Sequence, residues 1–180
     1  DKNIRFYDYY TRNEYEGGQT IKVPVDISSI PMFIKSGAII PMAGNELNNL
    51  MNDKVDSLHI IMAPDIDSSF TNDYKNGSYL KTDISVKAGA KTYIDFEYEG
   101  SYENTAETME LDVIHREKAP FYVQLDGKEV PHFLHRRKYE ESDIGWYYSQ
   151  TKKSVQVKYP NPKKNHQVLI SFEVFDMIGM

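Results

Sequence analysis

The chain has 180 residues, 40% of them hydrophobic and 13% aromatic, with 14 tyrosines, which is too aromatic for a disordered segment and enough for one full domain or two small ones. Its net charge of −6 comes from 21 basic and 27 acidic residues without a basic stripe, so no nucleic-acid partner is expected. The absence of cysteine excludes a disulfide framework, a cysteine nucleophile and a thiolate zinc site, and no apolar run approaches the ~20 residues of a membrane helix, so no membrane partner is expected.

The dominant pattern is period-two alternation, which sends successive side chains to opposite faces of a sheet. After a Gly17-Gly18 turn, Ile21, Val23, Val25 and Ile27 alternate with Lys22, Pro24 and Asp26 and predict a strand. Over Asn45–Val55, Leu47, Leu50 and Met51 stand at i, i+3 and i+4 and predict one or two helical turns. Strands are predicted next at Leu58–Met62, around Ile94, Phe96 and Tyr98, and around Met109, Leu111 and Val113. Phe121, Val123 and Leu125 lead through Asp126-Gly127 to Lys128-Glu129-Val130, a hairpin whose two central residues tolerate positive φ. The basic run His135–Lys138 reads as a solvated strand end. Val155, Val157 and Tyr159 form another strand, and Val168, Ile170, Phe172 and Val174 close the series.

Many short strands separated by polar turns predict an all-β chain built around an antiparallel β-sandwich. Near residues 43–56 the composition turns from apolar to rich in Asn and Asp. The expected organisation is therefore the remainder of a smaller β-domain over residues 1–50 and a β-sandwich domain over 51–180.

Two stretches are more specific than the alternation. One is Phe6-Tyr7-Asp8-Tyr9-Tyr10-Thr11, continuing to Tyr15-Glu16-Gly17-Gly18-Gln19-Thr20-Ile21. The other is Ile30-Pro31-Met32-Phe33-Ile34-Lys35-Ser36-Gly37-Ala38-Ile39-Ile40-Pro41. In the second, Pro31 is expected to open a strand, Gly37 to let it bend, Ile39-Ile40 to re-enter the core and Pro41 to end the element. Together they resemble the proximal C-terminal β-domain that follows the catalytic barrel in glycoside hydrolase family 31. A third stretch, Pro64-Asp65-Ile66-Asp67-Ser68-Ser69-Phe70-Thr71, resembles the opening of that family's distal C-terminal domain. The acidic turn that usually follows is replaced here by Asn72-Asp73-Tyr74-Lys75-Asn76-Gly77.

The resemblance implies a non-catalytic C-terminal region of an α-glucosidase- or α-xylosidase-type enzyme, supporting a (β/α)8 barrel in cis. In such a parent, hydrolysis with retention needs two carboxyl groups about 5–5.5 Å apart. The family's nucleophile motif, Trp-x-Asp-Met-x-Glu, has no match around the sole tryptophan, Gly145-Trp146-Tyr147-Tyr148, so no catalytic residue is carried over. The opening Asp1-Lys2-Asn3, without a methionine, leads to the expectation that the chain begins inside a longer protein. No cofactor is expected, and a homo-oligomer is a further expectation.

The alternative expectation is a carbohydrate-binding module for α-glucans or related oligosaccharides, with Trp146, Tyr147 and Tyr148 as the ligand-binding strip. Alternation would send Trp146 and Tyr148 to one face and Tyr147 to the other, with one set in the core. The remaining candidates read as surface chemistry. Glu97 with Glu99 and Glu140 with Glu141 look like solvent faces, and His132 and His135, three apart on a strand, would diverge. Asp65, Asp67 and Asp73 match a calcium loop only in part, because Phe70 and Asn76 stand where glycine and glutamate belong.

Overall fold

The computed structural model describes residues 3–47, 54–65, 67–76, 78–102, 105–114 and 118–174. Three sheets share the chain. The first is three-stranded, with β1 (Arg5–Asp8) between β2 (Glu14–Glu16) and β3 (Phe33–Lys35). The five-stranded sheet contains β4 (Ile39–Ala43), β5 (Ser57–Met62), β9 (Thr108–Ile114), β12 (Gly145–Ser149) and β13 (Ser154–Pro160), in the order β12-β13-β9-β5-β4. The six-stranded sheet contains β6 (Asp67–Asn76), β7 (Ser78–Lys87), β8 (Lys91–Gly100), β10 (Tyr122–Leu125), β11 (Lys128–Glu129) and β14 (His166–Ser171), in the order β11-β10-β14-β8-β7-β6. A short helix, α1 (Arg136–Glu140), precedes β12. The pairing is antiparallel as expected, apart from β5 and β9, which run parallel.

The two larger sheets form the sandwich. Ile84 and Val86 on β7, Ile94 and Phe96 on β8, and Val168 and Ile170 on β14 meet Ile60 and Met62 on β5, Leu111 and Val113 on β9, and Val155 and Val157 on β13. Each set lies two residues apart, the spacing that keeps one face of a strand toward the core. Asp126 (φ 49°) and Gly127 (φ 74°) make the turn between β10 and β11, as the Asp-Gly pair requires.

The five-stranded sheet is buried on its other face too. There Ile61, Ala63 and Ile114 meet Ile34 of β3, with Tyr7, Ile40 and Met42 around them. This explains the unbroken apolar run Ile60-Ile61-Met62-Ala63, because a strand covered on both sides loses its alternation. The expected boundary at residues 50/51 falls after β4, which is already a strand of this sheet and pairs with β5 over Ile39–Ala43.

One ion pair crosses from the three-stranded sheet to the five-stranded one. Asp8 ends β1, and its Oδ1 accepts from the backbone N–H of Tyr10 (2.9 Å) and of Thr11 (2.7 Å). Those bonds, Thr11 first, hold the Asp8 carboxyl below its ordinary value. The turn closes with Arg12 at φ 61°, a left-handed conformation costly for a side chain other than glycine. The Arg12 guanidinium lies 5.4 Å from the Tyr9 ring centre and donates to Asp112 Oδ2 of β9 at 3.0 Å, with both side chains at least 97% buried. Nε and Nη1 of Arg12 and Oδ1 of Asp112 have no hydrogen-bonding partner among the described residues.

Three sequence expectations are corrected. Residues 21–27 form no strand: Val25 and Ile27 are exposed, no neighbouring strand offers a ladder, and Pro24 lacks the N–H to join one. Pro41 lies inside β4 and does not end it, which the sheet tolerates because β4 is an edge. The run read as a strand end, His135–Lys138, enters α1 with His135 as its N-cap. The helical expectation over 45–55 falls mainly on 48–53, outside the described residues; at the flanks, Asn45 bonds Lys54 and Asp56 and ties the two ends together.

Two predictions follow from buried polar groups. Asp112→Ala leaves the Arg12 guanidinium buried and unpaired, and should cost about 3–5 kcal/mol in urea unfolding. The pair Arg12→Met with Asp112→Leu should cost much less; a loss below ~1 kcal/mol for Asp112→Ala would show that the pair does not hold the sheets together. The second concerns His166, buried and stacked on Phe96 at 4.5 Å. Its Nδ1 lies 2.8 Å from the Lys164 carbonyl, an acceptor, so Nδ1 carries the proton and Nε2 accepts from the Tyr159 hydroxyl at 3.0 Å. Burial holds the ring below its ordinary 6.5, so below that pH the unfolded chain takes up the proton first and stability falls. The stability difference between the native chain and His166→Gln should therefore shrink as pH drops from about 7 to about 5, read from urea midpoints. A difference independent of pH would show that His166 does not titrate between the two states.

Candidate ligand-binding site

The three aromatics singled out on β12 divide as alternation requires. Trp146 and Tyr148 face the sandwich, paired in register with Val157 and Val155. Trp146 is 1% exposed, and the His132 ring lies parallel to it at 3.7 Å. Its indole therefore has no free face for a sugar ring, which corrects the expectation of a platform built on it. Tyr147 points the other way, beside Gln156 on the outer face of the five-stranded sheet.

That outer face carries polar side chains wherever the three-stranded sheet does not cover it. Strand register places His59 of β5, Glu110 of β9 and Lys158 of β13 side by side in one row. The next row holds Ile61, Asp112, Gln156 and Tyr147. Directly opposed residues on neighbouring strands are about 4.5–5.5 Å apart at Cβ, so each row is a set of contacting groups.

The helix α1 roofs the β13 side. Tyr139 is its one buried residue, and its ring stands 6.0 Å from that of Tyr147. Burial, with the charges of Glu110, Asp112 and Glu140, pushes the Tyr139 hydroxyl well above its ordinary value, so it remains a neutral donor. Lys158 lies over the Tyr139 ring at 5.3 Å, and its Nζ donates to the Glu140 carbonyl at 2.9 Å. Arg136 Nε donates to Glu140 Oε1 at 2.7 Å. Between roof and sheet is a pocket of about 280 Å³, with Glu110, His59, Gln156 and Lys158 below and Arg136 and Tyr139 above. His59 Nδ1 is 3.6 Å from Glu110 Oε2, and this neighbour, with Lys158 further off, holds the Glu110 carboxyl below its ordinary value against partial burial.

Such a pocket offers hydrogen-bond acceptors and donors side by side. It holds no group of three His, Asp or Glu side chains arranged for a metal among the described residues. Of the other candidates, Glu97 and Glu99 are exposed, and Tyr79 donates to Glu99. Glu140 and Glu141 pair with Arg136 and Arg137 one turn away. His132 covers Trp146 while His135 stands at the N-cap position of α1 without a capping side-chain hydrogen bond, so the two do not converge. Asp65 accepts from Ser36 Oγ at 3.0 Å; the side chains of Asp67 and Asp73 and the turn residue Gly77 lie outside the described residues. The pocket is not legible in residue order, because its other residues, from two further strands, a turn and a helix, follow His59 by 51 to 99 positions, with no motif spacing to betray them.

Comparison with known proteins places this architecture. Residues 1–40 match the glycosyl hydrolase family 31 C-terminal domain. An alpha-xylosidase of Saccharolobus solfataricus is 41% identical over 44 residues, 24% of this chain and 6% of that protein. Alpha-glucosidase 2 of Bacillus thermoamyloliquefaciens is 28% identical over 131 residues, 68% of this chain and 16% of its own length. Among solved structures, a family 31 dextranase of Flavobacterium johnsoniae superposes with a TM-score of 0.78 at 22% identity, over 93% of this chain and 23% of that one. The cycloalternan-forming enzyme of Listeria monocytogenes gives 0.76 at 26% identity, over 93% of this chain and 16% of its own. The chain thus spans less than a quarter of each of these four proteins. The family match of its first forty residues, the three-sheet architecture and these relatives agree: the chain is similar over its length to the C-terminal β-region of glycoside hydrolase family 31 enzymes.

Proposed function

We propose that this chain is a non-catalytic support for the (β/α)8 barrel of a glycosidase that hydrolyses α-linked glycosides with retention, and that it seats on the barrel through its three-stranded sheet. The observation that carries this reading is an uncovered apolar surface beside that sheet. Val25, Ile27 and Ile30 are 57%, 108% and 72% exposed, although no strand or core claims them. Phe33, three residues after Ile30 and itself 37% exposed, meets the Tyr15 ring edge-on at 5.8 Å on the sheet face opposite Ile34. Exposed aliphatic side chains this close along the chain suit a surface that another body covers. Interfaces between domains of one chain bury roughly 600–1,500 Å², which a surface of this kind can supply.

The division into a proximal remainder over residues 1–50 and a distal sandwich over 51–180 belongs to the same proposal, with β4 as the strand the two share. The Arg12–Asp112 pair and the second apolar core would then transmit the sandwich's rigidity to the docking sheet.

Ile27→Asp combined with Ile30→Asp tests this reading. Both residues are exposed, so the variant should unfold within about 0.5 kcal/mol of the native chain. Mixed with a separately produced catalytic barrel of the same enzyme, the native chain should gain hydrogen-exchange protection over residues 21–33, and the variant should not. Equal protection of both would place the docking face elsewhere. Concentration-dependent sedimentation of the native chain alone, lost in the variant, would assign the surface to a second copy and so to a homo-oligomer.

A further inference from the structure

The pocket beneath α1 shares no residue with the 21–33 surface, and barrel support makes no use of it. We propose that it binds a neutral, hydroxyl-rich ligand, a single sugar ring of a glycan, through Glu110, Gln156, His59 and Lys158.

A hydroxyl donates one hydrogen bond and accepts others, so adjacent hydroxyls are best held where an acceptor and donors stand together. Here the Glu110 carboxylate accepts only, the Lys158 ammonium donates only, and the Gln156 amide does both. Register places Glu110 directly opposite both His59 and Lys158, with Gln156 two residues before Lys158 on the same strand face.

Arg136 is already paired with Glu140, Lys158 reaches the Glu140 carbonyl, and Glu110 has His59 beside it. An anion entering here would meet two carboxylates as well as the cations, whereas an uncharged ligand loses nothing to either. Lys152 at the rim has no ion partner among the described residues, so an anion must be tested directly.

Pockets for drug-sized ligands run from about 300 to 1,000 Å³. At about 280 Å³ this one is limited to something smaller, as one sugar ring is. Tyr139, which lines the pocket, offers an aromatic ring against which the apolar C–H side of a sugar ring would lie.

The experiment is an amide-resolved NMR titration of the 180-residue chain with glucose, maltose and isomaltose, and separately with inorganic phosphate and sulfate. The expected result is millimolar sugar binding, with shifts centred on residues 59, 110, 139 and 156 and no change in Trp146 emission. Glu110→Gln, which keeps the shape and removes the charge, should weaken binding about tenfold or more, since a charge-assisted hydrogen bond is lost. Gln156→Ala should weaken it too, and carries the test alone if Glu110→Gln fails to fold. Absence of pocket shifts with every sugar would overturn the proposal. So would phosphate or sulfate shifts as large as those of the sugars, or sugar shifts centred outside the pocket.

Discussion

A sheet buried on both faces is the constraint on which the rest of this molecule depends. Burial on one face needs alternation, which β7, β8 and β13 show. Burial on two faces needs an apolar run, and Ile60-Ile61-Met62-Ala63 supplies it along β5 and just past its end, between β9 and the edge strand β4. Fully burying an isoleucine is worth about 1.5–3 kcal/mol, so leaving either face of β5 in water would forfeit several such contributions. The three-stranded sheet, too small to stand alone, exists because it covers that second face.

Apolar contact does not by itself set how one sheet lies on another, since it has little directionality. The Arg12–Asp112 pair is directional. A buried ion pair adds little net stability over an apolar one, but breaking it is costly, and its geometry admits few alternatives. The local strain at Arg12 and the Asp8-capped turn are consistent with that role, because together they aim a guanidinium across two sheets at a carboxylate one hundred residues later.

Coverage of the second face is incomplete, and the gap has consequences. The three-stranded sheet meets β4, β5 and β9, and α1 meets β12 and β13. Between them the sheet shows charged and amide side chains to a pocket, while beyond the small sheet an apolar stretch is left bare. One arrangement therefore leaves both an open apolar surface and a polar cavity.

Much of this was legible from residue order. The alternating runs fixed the all-β class, the Asp-Gly pair marked its hairpin, and the stretches at 6–21 and 30–41 carried the family resemblance, because all of these depend on local spacing. The same logic failed at 21–27, where alternation predicts a strand but a strand also needs a partner with free N–H and C=O groups. It misplaced the value of Trp146, since an aromatic in a strand reads alike whether it meets water or core. The pocket, the Arg12–Asp112 pair and the position of β4 in the five-stranded sheet were decided only by tertiary structure. Each joins residues that are distant along the chain, and strand order and parallel or antiparallel pairing, which set those meetings, are properties of how strands assemble and leave no mark on the spacing within any one of them.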